Sequence, residues 1–171
     1  MIEGIGEFLR LMSEDAEVVR KSRDLLGGTL CLSEEGYDCA YKLIMAIPQL
    51  AEGYVDLIFS PSEDRFKRML AMEVVNYLIM PFDLIPEEEY GFYGYVDDAL
   101  VFVGSLEYMD EEDIQHQLSM EMEKLKPAYH KVIDEFPTKL REHIFSQINR
   151  AVRISDEYER SSNLTRIFHR Y

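Results

Sequence analysis

The sequence predicts an all-α protein, and three observations carry that reading. Apolar residues recur at helical spacing along nearly the whole chain, no segment sustains the period-two alternation of a half-buried strand, and capping residues and prolines fall between the apolar runs. At 171 residues and 47% hydrophobic, the chain is long enough for one substantial core and short for two ordinary domains. The expectation is one compact helical bundle over 1–171, with an end, 161–171, that docks on the rest or frays.

After a short amphipathic start, Ser13-Glu14-Asp15 supplies a cap and early acids for a helix that Gly27-Gly28 is expected to close. Ser33-Glu34-Glu35 opens a second helix ending near Ile47, and Pro48 is suited to the first turn of another that runs to about Phe59. Pro61 to Asp64 caps the next. There Phe66, Leu70, Val74, Tyr77 and Leu78 share one face while Met69, Met72, Val75 and Ile79 cover much of the remainder, a pattern expected at the centre of a bundle. Pro81 stops that helix because it donates no backbone hydrogen bond and disfavours helical geometry in the residue before it. A second apolar helix begins near Val96, Asp110 to Asp113 starts the next, and Pro127 and Pro137 are expected to break the remainder. Leu140, Ile144, Ile148, Ala151 and Val152 mark a long amphipathic helix near the end. The helices on either side of Pro81 to Val96 are expected to pair as a central antiparallel hydrophobic hairpin.

Charge narrows the range of functions. There are 33 acidic and 18 basic residues, a formal net charge of −15, and residues 61–110 contain 11 acids against three bases. A surface of that sign does not suit general binding of nucleic-acid phosphates, although the tail from Arg160 to Tyr171 gathers arginines with two aromatic rings. No apolar run reaches the roughly 20 residues needed to span a bilayer, and the start has no export-signal pattern. Cys31 and Cys39 are too few and too widely spaced for a disulfide framework or a metal knuckle, so they are expected to be core thiols in a reducing, cytoplasmic setting.

Two constellations are candidate sites. Antiparallel pairing would bring Asp83, just past the first helix of the hairpin, to Asp97 and Asp98 in the opening turn of the second. Three carboxylates so close need compensation, either from a cation such as Mg²⁺ or Ca²⁺ or from backbone amides, with Asp83 holding the turn and Asp97 or Asp98 capping the helix. The second constellation is the connection, where Glu87, Glu88 and Glu89 precede Tyr90, Phe92, Tyr93 and Tyr95 among glycines. Aromatics on such a segment suit a protein-binding surface; alternatively Tyr93 and Tyr95 fold back as a lid on the core. The four histidines never recur at i+3 or i+4, and no nucleophile elbow appears.

The stretches Asn76-Tyr77-Leu78-Ile79-Met80-Pro81-Phe82-Asp83-Leu84-Ile85-Pro86 and Gly94-Tyr95-Val96-Asp97-Asp98-Ala99-Leu100 resemble the YkvA-like family of unknown function, over about residues 66–106. That family's pattern has an acid after the second proline, here Glu87, and a short apolar, proline-containing connection, here replaced by Glu88 to Tyr93. The resemblance implies no established activity, and it implies membrane association for some members. The acidic connection argues against even peripheral membrane contact. The functional expectation is a non-enzymatic regulatory or adaptor protein that meets an unidentified protein partner at the hairpin end. A divalent-metal protein or metal-dependent enzyme using Asp83, Asp97 and Asp98 is the alternative, and an acidic mimic of nucleic acid a further one.

Overall fold

A computed structural model describes residues 2–61, 64–79, 84–109 and 116–168. Among these every regular element is helical: α1 (Ile2–Glu14), α2 (Ala16–Leu30), α3 (Glu34–Phe59), α4 (Arg65–Ile79), α5 (Glu87–Tyr90), a 3-10 segment (Gly91–Tyr95), α6 (Val96–Leu106), α7 (His116–Glu135) and α8 (Thr138–Phe168). Their buried apolar side chains form one continuous core.

The hub of the core is α3. It packs on α7, α4 and α6, and α1 lies along it as well, whereas α4 and α6 touch each other less than either touches α3. The expected centre of the fold, a hairpin of the two helices flanking Pro81, is therefore displaced by a helix that sequence spacing divided in two. Pro48 does not begin a new helix; α3 runs through it for 26 residues. An interior proline forfeits one backbone hydrogen bond and costs about 3 kcal/mol. Burial of Leu43, Ile44, Ile47, Leu50, Ala51, Tyr54 and Leu57 on both sides of it offsets that loss. Pro48 itself meets Gly6 of α1, where an added Cβ would lie 3.3 Å from the proline Cβ, so the neighbouring helix approaches at the interruption. Pro127 likewise sits inside α7, while Pro137 does separate α7 from α8.

Other boundaries follow local chemistry. Asp15 caps α2, its carboxylate accepting the amides of Glu17 at 2.9 Å and Val18 at 3.2 Å. Gly27 and Gly28 do not close α2, which continues to Leu30 because Leu26 and Leu30 are buried. Cys31 follows in a left-handed conformation with φ of 48°, exposed rather than in the core, while Cys39 is half-buried. Ser33 caps α3 by accepting the Gly36 amide at 3.0 Å, and Glu135 at the end of α7 accepts the Ser33 amide and hydroxyl, each at 2.8 Å. That contact fastens the start of the hub helix to an element about a hundred residues away. Asp64 accepts the Lys67 amide at 2.8 Å and so caps α4. The described α4, Arg65–Ile79, is not enclosed on all sides: Met72 and Ile79 are exposed, and the expected stop at Pro81 lies outside the described residues. The acids 110–113 lie outside the described residues. As a backbone helix α8 continues past Ser161 to Phe168.

Every residue of α6 is buried, including Ser105. Its hydroxyl donates to the Phe102 carbonyl at 3.0 Å and lies 2.7 Å from the Tyr54 hydroxyl of α3, which donates to the same carbonyl at 2.8 Å. The Tyr54 ring also stands edge-on to Phe102 at 5.2 Å. Because Tyr54 is fully buried, Tyr54→Phe is expected to cost about 1–2 kcal/mol, read as a lower urea midpoint with an unchanged slope. An unchanged midpoint would show that this bond does not help to lock α3 to α6.

Candidate functional site

The chain between α4 and α6 returns to the bundle through a buried carboxyl group. Asp97, in the first turn of α6, accepts the Tyr77 hydroxyl of α4 at 3.0 Å and the Leu84 amide at 3.1 Å on the same oxygen. A single side chain thus ties together the helix before the turn, the turn's exit and the helix after it. Asp97 and Asp98 are 0% and 1% exposed. Neither occupies the capping position of α6, which falls to Tyr95; instead the Asp97 carboxyl reaches across to the turn. Burial drives the Asp97 carboxyl up to about pKa 7. The hydrogen bonds from Tyr77, its own amide and Leu84 oppose that shift, and the nearby charge of Glu87 adds to it. Asp83, the third carboxylate expected here, lies outside the described residues. Among those described, no three His, Cys, Asp or Glu side chains come together as a metal ion would require.

The connection after Leu84 is also more ordered than its glycines suggest. Glu87, Glu88 and Glu89 begin α5, with Glu88 and Glu89 exposed and Glu87 half-buried. Gly91 then takes a φ of +63°, a left-handed value that glycine adopts at little cost. The chain folds back so closely that a Cβ on Gly94 would lie 2.6 Å from the Glu87 Cα, which makes glycine a packing requirement there. Ser22 of α2, itself buried, donates to the Tyr90 carbonyl and accepts the Tyr93 amide at 2.7 Å. The Tyr90 hydroxyl also lies 3.3 Å from that of Thr29.

Phe92 and Tyr93 point inward. Phe92 stacks at a tilt on Tyr41 and Tyr93 stands edge-on to Tyr37, both at 5.2 Å, and Arg23 lies over the Tyr37 ring at 4.4 Å while pairing with Glu34. Burial pushes the Tyr93 hydroxyl up to about pKa 12. These two rings belong to the core, as the lid alternative expected of Tyr93, and offer nothing to a partner. Tyr90 and Tyr95 are half-buried, and Tyr95 meets the exposed Phe8 of α1 edge-on at 6.4 Å. Ser22, Tyr37, Tyr41 and Phe8 were not legible as members of this site, because each is far away in sequence and ordinary for a helix.

All three members of the Tyr77, Leu84 and Asp97 contact fall within one recognisable segment. Residues 67–104 match the family described as protein of unknown function DUF1232. The resemblance to the YkvA-like family is thereby shown over less than a quarter of the chain. No curated protein and no solved structure matches. The DUF1232 segment contains the Asp97 contact entirely, whereas Ser22, Tyr37 and Tyr41, which hold the Glu87 to Tyr95 connection, lie outside it. No helix of the described residues is long and apolar enough to cross a membrane.

The buried Asp97 makes stability depend on pH. Its pKa is about 7 in the folded chain against an ordinary value of 3.8, so between these values the folded state holds a proton that the unfolded state has lost. The favourable contribution is therefore complete below the unfolded value and disappears as pH rises through the folded one. Asp97→Asn keeps an acceptor for Tyr77 and Leu84 but cannot ionise. Thermal melts across pH 4 to 8 are expected to show a decline in the wild type that the variant lacks, and parallel profiles would contradict the assignment.

Proposed function

We propose that the chain acts as a single non-enzymatic unit, a regulatory or adaptor protein that presents the end of its bundle between α4 and α6 to a protein partner. One observation carries this reading: the exposed carboxylates Glu88 and Glu89 stand on a turn of helix fastened from beneath by Ser22 and by the Gly94 approach. An exposed charge pair on a pre-positioned backbone loses little freedom on binding, which favours recognition. Phe8, 48% exposed, meets Tyr95 at the far end of the same connection, and the half-buried Tyr90 follows the acids directly. The complementary partner surface is basic, with an apolar contact. Free thiols at Cys31 and Cys39 support a reducing compartment, the cytoplasm.

The surface is narrower than the whole Glu87 to Tyr95 connection, because changing Phe92 or Tyr93 would remove core rather than contact area. The test is therefore charge reversal at the two exposed acids. Proteins that co-purify with the wild-type chain from its native cell are expected to be lost from Glu88→Lys/Glu89→Lys, with the melting temperature within about 2 °C of wild type, as for surface substitutions. Retention of every co-purifying protein would remove this end of the bundle as the contact surface.

A further inference from the structure

A second surface has the opposite chemistry. Where the end of α3 meets α4 and α8, Ile58, Met69, Met72 and Tyr158 line a cavity of about 260 Å³ together with Arg65 and Arg68. No carboxylate is among its described lining residues, in a chain with 33 acids. Neither arginine makes an ion pair among the described residues. Arg68 is held in place by donating from Nε to the Ile58 carbonyl at 3.0 Å, a bond that does not use its two terminal nitrogens. The neighbouring acid, Asp64, is already engaged by the Lys67 amide and lies 3.7 Å from the Lys67 ammonium. Met72 and Tyr158 are partly exposed, and Phe59, at the same helix end, is 78% exposed, the most exposed of the large apolar side chains described.

We propose that this groove binds an acidic peptide segment of a partner protein, inserting one bulky apolar side chain between Met69, Met72 and Tyr158 while flanking carboxylates meet Arg65 and Arg68. The volume suits a single side chain and is below that of a typical small-molecule site, roughly 300–1,000 Å³. Methionines line surfaces that adapt to varied apolar anchors, and a guanidinium offers a carboxylate two parallel donors. Two guanidinium groups without an ion-pair partner among the described residues are complementary to the carboxylates of an acidic segment, against the sign of the chain as a whole, and Ile58, Met69 and Met72 offer apolar surface to an anchor. This surface is separate from the acidic end at Glu88 and Glu89 and does not depend on it.

The probe is a fluorescein-labelled synthetic peptide with glutamates on both sides of a central phenylalanine, titrated by anisotropy against the full chain. Saturable binding is expected, weakened by added salt because the charges are exposed. Replacing either the phenylalanine by alanine or the glutamates by glutamines is expected to weaken it about tenfold or more, one such factor being a change of about 1.4 kcal/mol. Arg65→Glu reverses one cation that makes no hydrogen bond to the fold among the described residues, and Met72→Gln makes part of the apolar lining polar, without added charge, from an exposed position. Each is expected to reduce binding by a similar factor with the melting temperature retained, whereas Glu88→Lys/Glu89→Lys leaves it unchanged. No saturation, or wild-type affinity in Arg65→Glu and Met72→Gln, would overturn the proposal. Self-association of the chain that Arg65→Glu abolishes, without peptide binding, would assign the groove to a second copy and overturn it equally.

Discussion

A carboxyl group without access to water holds together the part of this chain that its proline would otherwise divide. Asp97 receives the Tyr77 hydroxyl and the Leu84 amide on one oxygen, so the end of α4, the exit from the turn and the start of α6 share a single acceptor. Removing one partner from such a group leaves the others to bear the cost of burial unaided, typically about 1–3 kcal/mol for a neutral donor. Its elevated pKa reflects the same environment, since the ionised form is disfavoured by burial more than the donors stabilise it. The DUF1232 segment coincides with this arrangement. Aspartates that resemble a metal site in sequence are, for Asp97, a fastening between elements.

With that fastening in place, the rest of the bundle is organised by α3. One long helix gathers α7, α4 and α6 around it, is capped through Ser33 by Glu135 of α7, and is bound to α6 through Tyr54 and Ser105. The charged surface then divides into two unlike regions. At one end α5 displays acids over the Ser22 contacts; where α3, α4 and α8 meet, two arginines border a cavity also lined by Ile58, Met69 and Met72. The proposed adaptor role would use these two surfaces of opposite charge for partners of different chemistry.

Helical character, the cap of α3 at Ser33, that of α4 within Pro61 to Asp64 and the start of α6 at Val96 were legible, because each depends on chemistry within a few residues, whereas α1 runs through Ser13 and leaves the cap of α2 to Asp15. The interior prolines misled. Whether Pro48 ends a helix depends on what packs around it, and burial across α3 outweighs a lost hydrogen bond that local reasoning treats as decisive. Gly27 and Gly28 misled for the same reason, since the burial of Leu30 carries α2 past them. At the candidate site, the sequence marks Asp97 as important but not its partners, and it does not reveal that Phe92 and Tyr93 face inward while Glu88 and Glu89 face out. Those assignments depend on Ser22, Tyr37 and Tyr41, contacts some 50 to 70 positions away.

The most direct test of Asp97 as the fastening is residue-resolved amide hydrogen exchange of the wild-type chain beside Asp97→Ala. The Leu84 amide is expected to be protected in the wild type, although it lies outside any helix, because Asp97 is its acceptor. In the variant it should exchange rapidly, together with the last turn of α4 and the first of α6, while α3 and α7 keep their protection. An unprotected Leu84 in the wild type, or unchanged protection of these segments in Asp97→Ala, would contradict the account.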